Sequence, residues 1–492
     1  MNINDIAKSD WEFFGAVARA AFTNPFGERR DELDFLIAGV PKQTPSEKLL
    51  EAVILKVGEK VEALRQTGGS DLRKWSGEER ETLQAVLLFH VFHRFVDDFD
   101  RLIREQEKQG DSPCPVQFAR ECLHVMEGFG LSGKEAERFF AVFYQMRRAY
   151  YFIRNGLVGG SALMKTLRKH LWNCVFTHDI RWFESRLWNR MEDFSVLLLG
   201  ETGTGKGAAA AAIGRSGFIP YDGRRNCFSE SFTRNFLSIN LSQYSEGVLE
   251  SELFGHKKGA FTGAVENHEG VFSRCAPHGV IFLDEVGDVS VPVQIKLLQV
   301  LQERVFYPVG SHEARRFSGR VIAATNRPLN LLRREGKFRD DFYYRLCSDV
   351  LVMPTLRQRL SENAKELDGL LASILSRIAG DFSPKERQVV RKVLERDLGT
   401  DYPWPGNVRE LEQAVKRVIL TGHYYGEAPT AEGNDGMTAF VEKIRSGNLE
   451  AEEMLSTYCA LLYKEVGTYG EVARRTNLDR RTVKKYVDRS SG

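Results

Sequence analysis

The spacing of apolar residues divides the chain into helical and mixed regions. In residues 1–156 they recur every three or four positions, as in Leu88, Phe92, Phe95, Phe99 and Leu102. This spacing places apolar side chains on one face of a helix. A second stripe of the same kind consists of Phe139, Phe143, Met146, Tyr150 and Ile153. The pattern predicts an aromatic-rich, all-α N-terminal domain over residues 1–156.

From 157 to 353 the pattern changes to short apolar runs separated by helical stretches. Examples are Val196–Leu199, Val280–Leu283 and Val321–Ala324. Such alternation is typical of a doubly wound parallel α/β sheet. Residues 354–423 and 451–492 are again helical in pattern, and the polar, glycine-bearing segment 424–450 predicts a linker. The predicted fold class is therefore multi-domain, with all-α regions on both sides of an α/β domain.

Composition narrows the class of protein. The 492 residues carry a net charge of only +2, so any nucleic-acid-binding surface must be local. Seven cysteines without a C-x-x-C pair favour a reducing compartment. The sequence starts without a basic and then apolar segment, and no apolar run approaches ~18 residues. We therefore expect neither an export signal nor a membrane span, and a cytoplasmic protein.

A glycine-rich loop follows the first apolar run and precedes the alanine-rich stretch Ala208–Ala212. Its residues are Gly200, Glu201, Thr202, Gly203, Thr204, Gly205 and Lys206. Backbone N–H groups of such a P-loop surround phosphates, and the lysine reaches the β- and γ-phosphates. The pattern predicts ATP binding that extends to Gly207. Many P-loops have Ser or Thr at this last position as a Mg²⁺ ligand, so the rate of hydrolysis stays open.

The run Val280–Leu283 ends in two carboxylates, Asp284 and Glu285. A buried strand that delivers acids at its carboxyl end is typical of a nucleotide-binding sheet. We expect Asp284 to hold Mg²⁺ through water and Glu285 to polarise the attacking water. The alternative, an acidic strand end that only caps the next helix, is disfavoured by the P-loop upstream.

One further stretch is not needed by an ordinary ATPase. It consists of Gly259, Ala260, Phe261, Thr262, Gly263 and Ala264. Glycines beside a Phe are costly if that Phe only packs a core, whereas they suit an exposed tip that grips another protein. With the P-loop and the acidic strand end, this "GAFTGA" stretch resembles the signature loop of the sigma-54-dependent transcription activators, a branch of the AAA+ ATPases.

The resemblance covers residues 157–423 and implies roles for further residues. Residues 157–353 would form the AAA+ α/β subdomain and 354–423 its helical lid, while 259–264 would contact the sigma-54 RNA polymerase. Asn326 would read the γ-phosphate, and Asn240 would hold the catalytic glutamate until ATP is bound. Arg409 would reach the nucleotide from the lid, where Asn407 is expected to cap a helix.

Two arginines, Arg339 and Arg345, lie six residues apart. The resemblance implies that they reach into the ATP site of a neighbouring subunit, so that the working form is a ring, mostly a hexamer in this family. The alternative is a solvated helix face on which the arginines pair with Asp340 and Asp341. Residues 176–191 are additional to the family pattern, and one hypothesis is that this apolar insertion seats the regulatory domain.

The C-terminal region 451–492 predicts a helix–turn–helix. Residues 470–492 contain seven basic and three acidic residues. Asp479 would cap a second helix whose candidate DNA-binding residues are Arg480, Arg481, Thr482, Lys484 and Lys485. The segment resembles the Fis-type unit that ends many of these activators. The alternative is a small basic helical cap without a role in DNA binding.

The signal sensed by the N-terminal domain cannot be read from its residues, and it does not resemble a phosphorylatable receiver. His90, His93 and Asp97 share one helical face and could ligate a metal, but a polar flank beside the Phe stripe is the favoured interpretation. We hypothesise that this domain restrains ring assembly or ATPase activity.

The function predicted from all of these patterns is an ATP- and Mg²⁺-dependent bacterial activator. It would bind double-stranded enhancer DNA near the nucleoid and remodel the closed complex of sigma-54 RNA polymerase. The alternatives are a DNA-binding repressor with a vestigial ATPase, which Gly207 mildly favours, and an AAA+ unfoldase, which the basic C-terminus disfavours.

Overall fold

The structure is a computed structural model that describes residues 6–188, 190–380, 383–424, 426 and 450–490. Most of the predicted linker 424–450 lies outside these described residues. The chain forms two compact units, which are described separately. The first comprises Met1–Arg391 with Tyr402–Lys416, and the second comprises Lys392–Asp401 with Arg417–Gly492.

The N-terminal region is helical, as predicted. Its helices are α1 (Lys8–Phe22), α2 (Glu28–Ala38), α3 (Ser46–Gln66), α4 (Gly77–Arg94), α5 (Val96–Gln109), α6 (Ala119–Gly128) and α7 (Gly133–Gly156). The first predicted stripe runs over two helices rather than one, because the chain turns at Phe95. The backbone N–H of Phe95 donates to the carbonyls of both Val91 and Phe92, and the turn brings Phe95 and Phe99 onto the ring of Phe118.

The predicted doubly wound sheet is confirmed. The parallel strands are β1 (Val196–Leu199), β4 (Phe236–Asn240), β5 (Val280–Asp284), β8 (Arg320–Thr325) and β9 (Asp349–Val352), in the order β4-β5-β8-β1-β9. Two short antiparallel hairpins accompany it, β2 (Tyr221–Asp222) with β3 (Cys227–Phe228), and β6 (Val305–Phe306) with β7 (Arg315–Arg316).

Helices surround this sheet and continue beyond it. They are α8 (Ala162–Phe176), the single turn α9 (Ile180–Trp182), α10 (Lys206–Gly214), α11 (Glu246–Phe254), α12 (Val271–Arg274), α13 (Val291–Glu303), α14 (Leu329–Arg334), α15 (Asp340–Leu346), α16 (Leu356–Glu362), α17 (Glu366–Ala379), α18 (Pro384–Leu398) and α19 (Asn407–Thr421). The start of the α/β domain is tied to the helical region that follows the sheet, because Glu366 accepts from the backbone N–H groups of Gly160 and Ser161. A buried ion pair with Arg359 at 2.8 Å neutralises this carboxylate.

Alternate residues of the central strands face two different cores, as the period of a strand requires. Leu197, Ile281 and Val321 belong to a core closed by α11, α13 and α15. Val196, Phe282 and Ile322 belong to the other core, which continues without interruption through α8 and α10 into the N-terminal helices. The N-terminal region and the α/β sheet therefore share one hydrophobic core, which the local sequence pattern did not predict.

Two segments of the α/β domain carry this shared core. The β2–β3 hairpin lies against α7, where the rings of Tyr144 and Phe228 stack with centroids 4.0 Å apart. The backbone N–H of Val116 also donates to the carbonyl of Asn226 at the hairpin turn. The insertion 176–191 buries Phe176 and Phe183 in the same core and is joined to α7 by a 2.7 Å ion pair between Glu184 and Arg138.

The second unit contains three C-terminal helices, α20 (Ala451–Val466), α21 (Tyr469–Thr476) and α22 (Arg480–Ser490). They enclose a small core of their own, formed by Cys459, Leu462, Val472, Val483 and Val487. The seven cysteines of the chain are free thiols. Among the described residues, no helix combines the length and the apolar character needed to cross a bilayer.

Candidate nucleotide and partner sites

The predicted nucleotide residues converge at the carboxyl edge of the sheet. The P-loop follows β1, and Asn326 follows β8, which pairs directly with β1. On the far side of β8, Asp284 ends β5 and stands opposite Asn240 in the register of β4 and β5. Parallel strands present their carboxyl ends at one edge, where open α/β sheets bind ligands.

Within the P-loop, Lys206 is held by the loop itself. Its Nζ donates to the carbonyl oxygens of Gly200 at 2.8 Å and Glu201 at 3.2 Å. Burial lowers the pKa of Lys206, and the carboxylates of Glu285 and Asp284 oppose that shift. The ammonium group is thus desolvated beside two acids, a setting in which a phosphate would compensate its charge. Gly207 is exposed, and a Cβ added there would contact nothing within 4 Å.

The two acidic residues after β5 lie in different environments. Burial raises the pKa of Asp284, whose Oδ1 accepts from the backbone N–H of Glu285 at 3.1 Å. Glu285 has a left-handed backbone with φ of 55°, which is strained for a non-glycine residue and recurs at functional sites. Its Oε2 accepts from the backbone N–H of Asn326 at 3.2 Å, while the Asn326 side chain donates to Thr202 Oγ1 at 2.9 Å. Asn326 therefore connects the catalytic candidate to the P-loop.

Asn240 makes a different contact from the one that the resemblance implies. Its Oδ1 accepts from the backbone N–H of Ser242 at 3.0 Å and from the Ser242 hydroxyl at 2.8 Å. In this arrangement Glu285 is held by Asn326 rather than by Asn240. Because Asn240 lies beside Asp284 in the sheet, its role as a holder of the glutamate stays a prediction.

The two candidate trans-acting arginines have partners within the chain. Arg339 pairs with Asp341 at 2.7 Å and is partly exposed. Arg345 donates from Nε and Nη2 to the carbonyl oxygen of Leu301 near the end of α13. The ion pair between Arg339 and Asp341 agrees with the alternative of a solvated helix face. Asp340 pairs with Arg333 instead of with either candidate arginine.

The start of α19 contacts the P-loop through Asn407, whereas the sequence indicated only that Arg409 would reach the nucleotide. Asn407 is expected to cap its own helix, but its Oδ1 instead accepts from the backbone N–H of Leu356 at 2.8 Å. Its Nδ2 donates to the carbonyl of Thr202 at 3.0 Å. An ion pair between Arg357 and Glu201 lies on the same side of the loop. Arg409, the predicted nucleotide contact, is exposed in the first turn of α19.

Residues 259–264 form a tight loop that a backbone hydrogen bond closes between its first and last residues. The backbone N–H of Gly259 donates to the carbonyl of Ala264 at 2.8 Å, and both glycines of the loop have positive φ, 82° at Gly259 and 101° at Gly263. Phe261 keeps 45% of its surface exposed, and its ring contact among the described residues is a T-shaped arrangement with His256. Thr262 is exposed as well. The predicted exposure of the loop tip is confirmed.

In the C-terminal unit a short turn separates the helices α21 and α22. Asn477, with φ of 54°, ends α21, and Asp479 caps α22 by accepting from the backbone N–H groups of Arg481 and Thr482. The hydroxyl of Thr482 donates to the same carboxylate, so this candidate DNA contact is engaged in the cap. The other candidates are exposed: Arg480, Arg481, Lys484 and Lys485.

One member of the predicted histidine face, His93, is packed against aromatic rings. His93 contacts the rings of Phe89 and Phe92, and burial lowers its pKa to about 3. Among the described residues no group of three or more His, Cys, Asp or Glu could hold a metal ion. The favoured interpretation of His90, His93 and Asp97 as a polar flank fits this geometry.

Comparison with known proteins identifies the central region. Residues 185–351 match the family described as "Sigma-54 interaction domain". The transcriptional regulatory protein ZraR of Klebsiella oxytoca is 38% identical over 307 residues, which cover 59% of this chain and 62% of ZraR. The hydrogenase transcriptional regulatory protein HoxA of Cupriavidus necator is 41% identical over 227 residues, 46% of this chain and 43% of HoxA. The chain thus spans less than two thirds of the length of these relatives.

A solved structure of NtrX from Brucella abortus in complex with ATP is similar at 23% identity and a TM-score of 0.40, over 73% of this chain and 76% of NtrX. Residues 185–351 of this chain match the sigma-54 interaction domain, and the P-loop, the acidic end of β5 and the loop with Phe261 lie inside that match.

Proposed function

We propose that this protein is a sigma-54-dependent transcriptional activator that hydrolyses ATP in a ring and remodels the closed promoter complex. The observation that carries the proposal is the convergence of Lys206, Asp284, Glu285 and Asn326 at one sheet edge of a matched sigma-54 interaction domain. The proposed division of labour follows the ranges 1–156, 157–353, 354–423, 424–450 and 451–492, for regulation, ATPase, lid, linker and DNA binding.

The chemistry of the site is phosphoryl transfer to water. Backbone N–H groups of the P-loop and the Lys206 ammonium bind the phosphates, while Glu285 orients and polarises the attacking water. Asn326 connects Glu285 to Thr202, so it is suited to report whether the γ-phosphate is present. Arg409 reaches the nucleotide from the lid.

A divalent metal fits the same edge. Asp284 is a desolvated carboxylate beside Lys206 and would hold Mg²⁺ through water. When bound, Mg²⁺ neutralises charge that develops on the phosphates. Gly207 offers no hydroxyl or carboxylate, so this chain relies on Asp284 and phosphate oxygens for the metal.

Ring assembly would complete the site. The guanidinium of Arg339 is partly exposed, and within the described part of the chain its ion-pair partner is Asp341, two residues further along. Breaking this exposed pair would make the guanidinium available to a second subunit. Arg345 would first have to leave the Leu301 carbonyl. Cations supplied in trans stabilise the transferring phosphoryl, in other enzymes by about 10³–10⁵ in rate. We propose a hexamer whose turnover depends on protein concentration.

Two surfaces would connect ATP hydrolysis to transcription: one would contact the sigma-54 factor and the other would bind DNA. Residues 259–264 would contact the sigma-54 factor, with Phe261 and Thr262 at the tip. Arg480, Arg481, Lys484 and Lys485 would bind double-stranded enhancer DNA, with the lysines on phosphates and with a minor contribution from Thr482. Such a protein acts in the cytoplasm at the nucleoid.

ATP turnover measured against protein concentration tests the proposal. We expect specific activity to rise steeply with concentration in the wild type and to vanish in Glu285→Gln, which keeps nucleotide binding. The same preparation should convert a closed sigma-54 promoter complex to an open one. Turnover without open-complex formation would indicate an unfoldase. DNA binding without turnover would indicate a repressor with a vestigial ATPase.

A further inference from the structure

The outward carbonyl oxygens of the P-loop are held by the first residues of α19. The Nδ2 of Asn407 donates to the Thr202 carbonyl at 3.0 Å, and the backbone N–H of Val408 donates to the Gly203 carbonyl at 3.1 Å. These are consecutive peptide groups at the turn of the loop. Their hydrogen bonds come from a helix that lies about 200 residues away along the chain.

Holding a carbonyl oxygen also fixes the N–H of the same peptide group. A trans peptide is planar, and its C=O and N–H point in opposite directions. The Thr202 carbonyl shares its plane with the N–H of Gly203, and the Gly203 carbonyl shares its plane with the N–H of Thr204. Donors that hold these oxygens from the α19 side therefore turn the two N–H groups away from α19. The N–H of Thr204 points at the Glu201 carbonyl oxygen, at 3.4 Å, and the same oxygen accepts from Lys206 Nζ. A phosphate bound at Lys206 would compete for that N–H.

The P-loop and the start of α19 approach each other closely. A Cβ at Gly203 would lie 2.1 Å from the carbonyl oxygen of Gly406, so only glycine admits the turn of α19. Asn407 itself has φ of 53°, a left-handed conformation that Asn tolerates better than most residues. Its side chain is completely buried and also donates to the carboxylate of Glu201 at 3.2 Å.

We infer that Asn407 is a positioning residue that preorganises the P-loop for nucleotide phosphates by gripping its outward carbonyls. The inference rests on the proposed function, because it assigns the residue to the ATP site. The Oδ1 of Asn407 joins the same grip to the start of α16 through the Leu356 backbone. Through these hydrogen bonds of Asn407, the shape of the P-loop depends on the positions of both α16 and α19.

Nucleotide affinity in the full-length chain tests the inference. Asn407→Asp keeps the acceptor for Leu356 but places an oxygen against the Thr202 carbonyl and near the Glu201 carboxylate. Asn407→Gly removes the side chain and still permits the positive φ. We expect both variants to raise the Kd for ATP and ADP by about tenfold, and to raise KM more than they lower kcat.

A matched control is Gln106→Glu in the N-terminal domain. Gln106 is also a buried amide, with Nε2 donating to the carbonyls of Gly110 and Ser112 and Oε1 accepting from the Cys114 backbone. Gln106→Glu should lower the melting temperature as the Asn407 variants do, yet leave the Kd for ATP and ADP unchanged.

The outcomes separate the role of Asn407 from the proposed function. Affinities are measured well below the melting temperature of each variant, where circular dichroism shows it folded. A Kd within twofold of the wild type in both Asn407 variants overturns the inference and leaves the ATPase proposal standing. A wild type that binds neither ATP nor ADP overturns both.

Discussion

Arg148 of α7 places its Nη2 2.7 Å from the carbonyl oxygen of Gly217, three residues beyond the end of α10. Its Nη1 donates to the carbonyl of Arg215 at 2.6 Å, and the neighbouring Gln145 donates to that of Ser216. The guanidinium is fully buried, stacks over the Tyr144 ring at 4.4 Å, and burial lowers its pKa to about 10. A cation from the N-terminal region thus caps the carboxyl end of the helix that begins at the P-loop.

Replacing Arg148 should destabilise the whole first unit. Arg148→Met keeps much of the apolar stem but leaves the Arg215 and Gly217 carbonyls unpaired in a buried site. We expect a loss of about 2–4 kcal/mol in the free energy of unfolding. Chemical denaturation monitored by circular dichroism measures it. The control Arg154→Met changes an exposed residue of the same helix and should stay within about 0.5 kcal/mol. Equal effects in the two variants would contradict the capping role.

A chain that begins near Leu157 should not yield a well-behaved ATPase. Removing the preceding residues would expose Phe228, Phe232 and other side chains of the shared core to water. We expect aggregation in size-exclusion chromatography and little turnover, whether the N-terminal region restrains or supports activity. Soluble, active material from this truncation would show that the core can be divided.

Phe261→Ala should separate ATP turnover from transcription activation. The side chain is 45% exposed, so its removal costs little stability, and its recorded ring contact is with His256 rather than with a predicted nucleotide residue. We expect turnover within about twofold of the wild type and at least about tenfold less open complex in a promoter assay.

The control for the loop is Val265→Ala. Val265 is 71% exposed and directly follows the six-residue loop. It should retain both activities if the contact is confined to residues 259–264. Normal open-complex formation by Phe261→Ala would remove the sigma-54 contact from this loop.

Gly207→Ser should lower the Mg²⁺ requirement. There is open space at this position, so a hydroxyl can be introduced beside the phosphates without a clash. Gly207→Ala is the matched variant, since both changes add a Cβ to the helix and raise its propensity, and only Ser adds an oxygen. We expect Ser, but not Ala, to lower the Mg²⁺ concentration for half-maximal turnover. Identical titrations for Ser and Ala would show that no metal ligand is missing here.

Acid should destabilise the N-terminal helices through His93. Its folded pKa is about 3, below the ordinary value of 6.5, so the unfolded chain binds more protons between these values. Stability is therefore lost as pH falls through 6.5 towards 3. At pH 5 the loss is about 1–2 kcal/mol, at the lower end because the side chain keeps some exposure.

The neighbouring charges Arg30, Arg147 and His90 oppose protonation of His93 in the folded state. Melting temperatures measured from pH 7 to 5 should fall less in His93→Leu than in the wild type. His124→Leu, at an exposed position of α6, should follow the wild type. If the melting temperatures of His93→Leu and the wild type fell equally with pH, His93 would not be the cause of the acid destabilisation.

The sequence predicted the elements whose signals are local. Apolar runs that end in glycine or in acids specify strands and the loops after them, so the runs alone place Lys206 and Asp284 at one edge of the sheet. The exposure of Phe261 followed in the same way from the glycines beside it.

Features that depend on distant contacts were missed. The β2–β3 hairpin has strands of two residues, too short for a period, and is defined by packing on α7. Arg148 follows Tyr144 by four residues on the apolar face of α7, which was the one available signal of its burial. The reach of Asn407 to the P-loop joins positions 205 residues apart, and no local pattern encodes it.

The continuous core between the N-terminal helices and the sheet limits how this regulator can diversify. An N-terminal region that shares its interior with the α/β domain cannot be exchanged on its own, because the recipient would have to supply a matching β2–β3 hairpin and the insertion 176–191. Descendants of this architecture should therefore inherit both regions together, and the N-terminal region should diversify by point substitution rather than by recombination.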